Sequence, residues 1–429
     1  MDILFILPYD CSYRYKGGFT RSISYAPLTL STLAALVPPE LNARMTLVDE
    51  GVQKPATAGR FDLVAITCTT SAANRAYALC EFWRKKGSYV VLGGAHPTFM
   101  PAEAALHADS VFVGFAEYTF PQFFRDLAHG APQKRYDASA PGACLPLPDP
   151  RRDLISRRYM NIPTILANRG CSNHCSYCCI PRLWGGSGVA RPVGEVVDEI
   201  KRLGRKRYIL LDPSFSSDPE YAKELLHALI PLKITWSGLA SIDIAEDDAL
   251  FSLLPQSGCE GILSGFESLN AADLAQVGKK TNRVDGYRRA VRRFHAAGIP
   301  VLGCFVAGFD HDTAQSLYEM IDVIDEIGVD LPRFSVLTPF PGTPLYDAYE
   351  KQGRILTKDW DAYDTMHVVF APRRMDADAL QQTFYGIWKK AYETKRILRR
   401  IGHTRKNRAL KLMANLGFQY YARHLARER

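Results

Sequence analysis

The sequence of 429 residues predicts an α/β protein with two parallel β-sheets in succession and a helical C-terminal region. Short apolar runs alternate with helical segments over residues 1–130 and again over 161–345, which is typical of strands joined by crossover helices. A proline-rich stretch over 131–160 separates the two series, and residues 346–429 show helical character without a strand pattern. We therefore predict two αβ domains at these positions, a linker between them and a helical region after them.

The first series contains five predicted strands and three helices. The strands are Asp2–Pro8, Met45–Asp49, Phe61–Thr67, Ser88–Gly94 and Ser110–Gly114, and the helices are Leu28–Val37, Ala72–Lys86 and Pro101–His107. Ligands of doubly wound sheets bind beyond the carboxyl ends of the strands, so we expect a binding site there. A nucleotide-binding Rossmann domain is the rival interpretation, but no Gly-x-Gly-x-x-Gly follows the first strand, where a pyrophosphate needs close backbone approach.

The second series contains six predicted strands separated by helical patterns. The strands are Thr164–Ala167, Tyr208–Leu211, Ile234–Leu239, Gly261–Gly265, Val301–Val306 and Arg333–Leu337, and helices include Val193–Leu203, Tyr221–Ile230 and Gln315–Ile327. Six βα units of this size predict a full or partial TIM-type barrel. The chemistry of such a barrel lies at the mouth formed by the carboxyl ends of its strands.

Composition excludes several classes of protein. With 47% hydrophobic and 23% charged residues, the chain is not disordered throughout. No run of about 18 apolar residues predicts a membrane-spanning helix. The N-terminus, Met1-Asp2-Ile3, lacks the basic leader of a signal peptide. Ten scattered cysteines then indicate reduced thiols or metal ligands, and we expect a cytoplasmic protein.

The last part of the chain is strongly basic. From Trp388 to Arg429 there are 13 Lys and Arg residues against two acids, whereas the rest of the chain is nearly neutral. Such a tail can contact anionic lipid, nucleic acid or an anionic substrate. A solvated, amphipathic terminal helix is the alternative.

A cysteine cluster follows the first predicted barrel strand. Cys171, Cys175 and Cys178 are spaced for one loop to bind three irons of a 4Fe–4S cluster, leaving the fourth iron open to a ligand. A zinc site is the alternative, with His174 or Cys179 as the fourth ligand. Zinc usually requires four ligands, and the adjacent thiols of Cys178 and Cys179 cannot easily point at one ion.

The Cys-x-x-x-Cys-x-x-Cys motif, with Tyr177 before the last cysteine, resembles that of the radical S-adenosylmethionine (SAM) superfamily. Further matching segments are Leu211–Phe215, Ser264–Ser268, Gly303–Phe309 and Thr338–Tyr346. The resemblance implies a 4Fe–4S cluster that chelates SAM, with contacts from Tyr177, Asp212, Ser214, Glu267, Ser268, Gly303, Gly308 and Thr338. Lys279 or Lys280 could neutralise a carboxylate, or both could be ordinary surface lysines.

The N-terminal part resembles the cobalamin-binding subgroup of this superfamily. The matching segments are Gly93–Thr98, Gly114–Glu117 and Trp360–Asp364. The implied cobalamin contacts are Thr67, Thr70, Gly93, Gly94, His96, Gly114 and Glu117. The sequence departs from the subgroup in two ways. It has no Asp-x-His-x-x-Gly, so a histidine ligand to cobalt is not expected, and Phe115 stands where the subgroup usually has Glu.

The resemblance implies a cobalamin-dependent C-methyltransferase that acts on an unactivated carbon of a small-molecule substrate in a biosynthetic pathway. A radical rearrangement, cyclisation or oxidation without methyl transfer is the first alternative, and a non-catalytic RNA- or lipid-associated protein is the second. An external one-electron reductant such as flavodoxin or ferredoxin is expected, and the basic tail suggests contact with a membrane surface rather than nucleic acid. The sequence assigns no catalytic side chain and leaves the substrate class open.

Overall fold

The computed structural model describes residues 1–10, 25–138, 147–184, 189–403 and 408–427. The N-terminal domain contains a parallel sheet with the strand order β2-β1-β3-β4-β5-β6. Its strands are β1 (Asp2–Leu7), β2 (Arg44–Asp49), β3 (Leu63–Thr67), β4 (Tyr89–Gly93), β5 (Ser110–Gly114) and β6 (Arg135–Ala138). Its helices are α1 (Thr29–Ala35), α2 (Ala73–Lys85), α3 (Ala95–Phe99), α4 (Pro101–Ala104) and α5 (Ala116–Ala128).

Helices cover both faces of this sheet, which explains why its central strands are continuous apolar runs. One core contains Trp83 of α2, and the other contains Phe120 and Phe123 of α5. The reversal of strand order places the topological switch point between β1 and β3, where ligands of this fold class bind. The predicted Rossmann-like domain is therefore confirmed.

The sheet extends further along the chain than the sequence indicates. Strand β6 pairs in parallel with β5 but lies within the stretch assigned to the linker, so the predicted domain end at residue 130 is wrong. Tyr136 is the one large apolar residue of β6, and it stacks on Phe112. A four-residue edge strand with a single buried aromatic does not produce a recognisable apolar pattern. Residues 139–146 of the predicted linker lie outside the described residues.

The second sheet has six parallel strands in consecutive order. They are β7 (Thr164–Ile165), β10 (Arg207–Leu210), β11 (Thr235–Leu239), β12 (Cys259–Glu267), β13 (Val301–Ala307) and β14 (Leu331–Val336). The intervening helices are α6 (Ile180–Trp184), α7 (Val193–Leu203), α8 (Pro219–Leu229), α9 (Asp248–Gln256), α10 (Ala271–Gln276), α11 (Tyr287–Ala296) and α12 (Ala314–Ile327). Strands β7 and β14 form the two edges, and the prediction of a partial barrel is confirmed.

Alternate residues of the barrel strands face inward and outward. In β13, Phe305 and Ala307 are buried in the core beneath the outer helices, whereas Leu302, Cys304 and Val306 are partly exposed on the other face. Strand β14 alternates in the same way, with Phe334 outward. The inner face therefore remains open at the centre of the barrel, and most of its side chains are apolar.

Four helices form most of the C-terminal region. They are α13 (Pro344–Lys351), α14 (Ala377–Ala391), α15 (Thr394–Ile401) and α16 (Arg408–His424). Several tail cations are buried in ion pairs with the barrel rather than solvated. Arg400 donates to Asp325, and Lys411 lies 3.2 Å from Asp330. Among the described helices, none is both long and apolar enough to cross a bilayer.

Candidate active site

The three cysteines lie on a loop that begins at a small antiparallel hairpin. The hairpin consists of β8 (Asn168–Arg169) and β9 (Val189–Ala190), which the sequence did not predict because each strand has two residues. The loop is fixed to the barrel through Ser176, whose N–H donates to the carbonyl of Val277 at 2.9 Å. The cysteine loop is therefore held against the chain segment that follows α10.

The thiols lie close enough together to affect one another's ionisation. Burial, and then the charge of Cys179, raise the pKa of Cys178 to about 12, and Cys175 and Cys171 contribute further. Burial also raises the pKa of Cys175, so the thiols of Cys175 and Cys178 are protonated at neutral pH and a metal must displace these protons to bind. Three adjacent thiols fit the soft-ligand set of an iron–sulfur cluster. Cys179 begins the turn that leads into α6, where its carbonyl accepts from the N–H of Leu183.

A buried ion pair lies beside the cysteines. Lys279 Nζ is 3.4 Å from Glu267 Oε1, and each side chain is only 12% exposed. Burial lowers the pKa of Lys279, but the opposing charge of Glu267 contributes to a net raised pKa. Lys280 is exposed. Only one of the two lysines is therefore a surface residue, and Lys279 is a buried cation next to the thiols.

The backbone at Glu267 is strained. Its φ is +65°, which non-glycine residues adopt rarely, and it follows an irregularity in the pairing of β12 with β13. A Cβ added at Gly265 would lie 2.1 Å from Glu267 Oε1, so the carboxylate occupies the space of the missing side chain. Tyr177 is partly buried nearby, and desolvation together with the charge of Glu267 raises its pKa. The structure thus brings together Tyr177, Glu267 and the cysteines, and their contact with SAM stays a prediction.

Asp212 is a second buried acid, at the end of β10. One carboxylate oxygen accepts from the N–H of Ala167 at 2.7 Å, and the other has no hydrogen-bond partner in the described part of the chain. Burial raises the Asp212 pKa to about 7, although the Ala167 hydrogen bond acts against it. An unpaired buried acceptor is costly, and an ammonium group would satisfy it. Ser214 follows nearby, with its hydroxyl 3.3 Å from that of Ser216.

Four other predicted SAM contacts are engaged by the protein itself. A Cβ at Gly303 would meet Val329 and Phe266 on the outer face of the sheet, and the contact of Gly303 with SAM stays a prediction. Gly308 has a φ of +110° and lies against Leu380 and Phe370. The hydroxyl of Ser268 donates a hydrogen bond to Asp273, and the hydroxyl of Thr338 donates one to the carbonyl of Val336.

The predicted cobalamin residues lie along one edge of the N-terminal sheet. Thr67, Gly93 and Gly114 are at the carboxyl ends of β3, β4 and β5. Gly94 and Gly114 have positive φ, and a Cβ on either would collide with the backbone of Cys68 or Ala138. These two glycines let neighbouring chain segments approach one another at this edge.

Two of these residues have structural partners instead. His96 is fully buried, and its ring nitrogens lie 3.0 Å from the Tyr77 hydroxyl and 3.3 Å from the Thr70 hydroxyl. The prediction that His96 contacts cobalamin is therefore corrected, and the hydroxyl of Thr70 is directed to His96. Glu117 forms a 2.6 Å ion pair with Arg169 of the hairpin, and this pair joins the N-terminal domain to the cysteine loop.

The switch point between β1 and β3 carries an acid that the sequence analysis did not single out. Asp10 accepts from the hydroxyl of Thr69 at 2.5 Å and from that of Ser71 at 2.8 Å. The only feature of the sequence that could have pointed to Asp10 is its position directly after the first strand. Hydroxyls, a carboxylate and backbone groups near Gly94 form a polar edge that is chemically suited to the amide side chains of a corrin.

Comparison with known proteins shows which families the two αβ domains and the C-terminal region match. Residues 165–338 match the radical SAM superfamily, residues 38–124 match a B12 binding domain, and residues 343–415 match a domain of unknown function, DUF4070. Bacteriochlorophyllide d C-12(1)-methyltransferase of Chlorobaculum tepidum is 34% identical over 87% of this chain and 84% of that protein. The chain belongs to the cobalamin-binding radical SAM enzymes.

Two further similarities extend over almost the whole enzyme. The bacteriochlorophyllide d C-8(2)-methyltransferase of the same organism is 30% identical over 93% of this chain and 92% of that protein. The radical SAM methyltransferase TsrM from Kitasatospora setae, solved with tryptophan and a SAM analogue, has the same fold, with a TM-score of 0.69 at 16% identity. That match covers 99% of this chain and 98% of TsrM.

The cofactors of the enzyme are a 4Fe–4S cluster, SAM and cobalamin. The residues that would hold the cluster are Cys171, Cys175 and Cys178, and the three-thiol donor set fits it. For SAM, the buried acceptor of Asp212 suits its amino group, and Lys279 suits its carboxylate. The polar edge around Asp10, Thr69 and Gly94 would hold cobalamin.

Proposed function

We propose that the enzyme is a C-methyltransferase that adds a methyl group to an unactivated carbon of a small-molecule substrate. The observation that carries this proposal is the junction between the two cofactor-binding parts. Arg169 lies two residues before Cys171 and pairs with Glu117, which lies three residues after the end of β5 in the cobalamin domain. Methyl transfer from cobalamin requires the reacting carbon to lie between the two cofactors, and this junction brings their binding regions together.

The apolar side chains on the inner face of the barrel favour the proposal that the substrate is large and mainly apolar. Leu302 and Val306 are partly exposed there, and Leu239 and Leu263 occupy corresponding alternating positions on neighbouring strands. The bacteriochlorophyllide methyltransferases among the relatives act on a substrate of this kind. We therefore propose bacteriochlorophyllide d as the first substrate to test.

Bound together, the cofactors supply a substrate-hydrogen abstraction and a methyl donor. The chain's own contribution is binding, orientation and exclusion of water. Lys279 would neutralise an incoming carboxylate, and the buried Asp212 would accept from an ammonium group. Because Lys279 and Glu267 are already paired, their positions are fixed before the ligand arrives. An external one-electron donor, such as a flavodoxin or ferredoxin, is part of the same proposal.

The test is an anaerobic assay of the reconstituted holoenzyme with bacteriochlorophyllide d, a reductant and SAM carrying a deuterated methyl group. We expect a product with one labelled methyl group, with S-adenosylhomocysteine and 5′-deoxyadenosine formed in equal amounts. Substrate conversion with 5′-deoxyadenosine but no S-adenosylhomocysteine would favour a rearrangement, cyclisation or oxidation and contradict the proposal. A Cys175→Ala variant is the control for cluster-dependent turnover.

A further inference from the structure

The last long helix of the enzyme, α16, exposes apolar residues and buries polar ones. Its inward side contains Lys411, which pairs with Asp330, and Asn415, which donates to the carbonyl of Lys411 at 2.9 Å. Both are at most 3% exposed. These two polar side chains share the inward side with the buried Ala422 and the partly buried Phe418, whereas the usual surface helix directs only its apolar side inward.

The exposed side of α16 carries a stripe of apolar residues. We define the tail face as this stripe and the exposed Leu398 of the preceding helix α15. Its members are Leu398, Leu410, Leu412, Met413, Leu416 and Tyr420, exposed by 65%, 50%, 38%, 62%, 47% and 52%. Positions 410, 413, 416 and 420 follow helical spacing. Large exposed apolar clusters on a globular protein mark sites that contact another protein, a ligand or a membrane.

Most of the charged residues near the tail face are basic. Arg408 and Arg423 are exposed at the two ends of α16, and Lys395 and Arg399 are exposed on α15 beside Leu398. Helix α16 contains no Asp or Glu. The exposed acid at the start of α15, Glu393, lies 3.4 Å from Lys395. The described surface thus combines apolar side chains with a cationic rim.

We propose that the tail face docks the enzyme on an anionic lipid surface. An apolar helix side bordered by Lys and Arg enters the boundary between headgroups and acyl chains, while its cations contact anionic headgroups. The buried Lys411–Asp330 pair fixes which side of α16 points outward, so the face is formed before a membrane is met. This inference does not depend on which reaction the enzyme catalyses.

Vesicle flotation of the anaerobically reconstituted full-length holoenzyme tests the proposal. We expect binding to phosphatidylcholine vesicles containing phosphatidylglycerol, and at least tenfold weaker binding to pure phosphatidylcholine or at high salt. The variant L410Q/M413Q/L416Q should lose binding at least tenfold, since glutamine keeps helix propensity but removes the apolar contact. The matched variant L106Q/L356Q changes apolar residues that are 76% and 54% exposed elsewhere and should bind like the wild type.

Two further measurements make each outcome decisive. Unchanged cobalamin content and melting temperature in L410Q/M413Q/L416Q show that the variant is folded, so its loss of binding reports on the tail face. R408Q/R423Q should weaken binding to anionic vesicles, whereas R135Q/R151Q should not. Failure of the wild type to float with anionic vesicles would overturn the proposal. So would a wild-type dimer that L410Q/M413Q/L416Q converts to a monomer, because a second copy would then cover the face.

Discussion

Lys279 Nζ lies 3.4 Å from Glu267 Oε1, in a buried ion pair beside the three cysteines. The carboxylate of Glu267 holds the Lys279 ammonium group in place. Glu267 itself has a strained backbone, with a positive φ. Removing one partner of a buried pair leaves the other charge uncompensated and is strongly destabilising. The pair therefore contributes both to the local structure and to the electrostatics of the site.

Replacing Lys279 by methionine is expected to weaken SAM binding by at least tenfold. The substitution keeps the apolar stem but removes the cation that we assign to the SAM carboxylate. Equilibrium binding of SAM to the reconstituted enzyme measures the effect. The neighbouring Lys280→Met is the matched control, since Lys280 is exposed and should bind SAM normally. Equal affinities for the two variants would show that Lys279 does not contact SAM.

An alanine at Gly265 is expected to displace Glu267. Its Cβ would lie 2.1 Å from Glu267 Oε1, which no side chain tolerates without movement. We expect SAM cleavage to fall at least tenfold although the three cysteines are unchanged. Gly194→Ala, on the exposed side of α7, meets nothing within 4 Å and should raise stability by up to about 1 kcal/mol. Wild-type SAM cleavage by Gly265→Ala would contradict this account of Glu267.

Breaking the Arg169–Glu117 pair is expected to destabilise the enzyme. The side chains are 13% and 8% exposed, and Arg169 also lies over the ring of Trp184 at 4.9 Å. Glu117→Gln leaves the Arg169 cation without its carboxylate, at a cost of about 3–5 kcal/mol in the free energy of unfolding. Asp137→Asn is the control, because the Arg135–Asp137 pair has the same 2.6 Å separation but is half exposed and is worth below about 1 kcal/mol. Urea unfolding that gives similar losses for both variants would refute the distinction.

Removing the thiol of Cys175 is expected to abolish the cluster, whereas removing that of Cys179 is not. Both thiols are on the same loop, but Cys179 begins the turn into α6 and is not one of the three spaced ligands. Iron and sulfide analysis after anaerobic reconstitution measures the difference. Near-complete loss in Cys175→Ala with about four irons retained in Cys179→Ala is the expected result. Loss of iron in both variants would restore Cys179 as a ligand.

The two parallel sheets and the barrel architecture could be predicted, because buried parallel strands are apolar runs that can be recognised without tertiary information. Strand β6 could not, since Tyr136 is its one large apolar residue and its pairing depends on the neighbouring strand. The packing around Gly303 could not be predicted, because a glycine carries no sign of which face its missing side chain would occupy. His96 has a motif position typical of a ligand contact, but its burial against Tyr77 follows only from the folded chain.

The cysteine cluster was recognisable because all three ligands are close in sequence. Lys279 shows the opposite case. It follows α10 like an ordinary surface lysine, and its burial depends on Glu267, twelve residues earlier, and on the loop that contains the cysteines. Long-range juxtapositions of this kind determine pKa values and ligand contacts, and sequence spacing does not reveal them.

The buried acid Asp212 is expected to make stability fall as pH rises. Its pKa is about 7 in the folded enzyme against an ordinary value of 3.8. Below about pH 4 the carboxyl group is protonated in both the folded and the unfolded state. Between the two pKa values it ionises mainly in the unfolded chain, which then binds fewer protons, so rising pH favours the unfolded state. Between about pH 5 and pH 7 the free energy of unfolding should therefore fall by about 2–3 kcal/mol through this group.

Asp212→Asn removes this dependence while keeping an acceptor for the Ala167 N–H. The difference in unfolding free energy between the variant and the wild type should therefore increase in favour of the variant from about pH 5 to pH 7. Asp312, whose pKa burial also raises to about 7, contributes equally to both proteins and cancels in this difference. Urea unfolding of the cofactor-free proteins at several pH values is the measurement. A difference that stays constant with pH would show that Asp212 is already ionised in the folded state, and that its second oxygen has found a donor before any ligand binds.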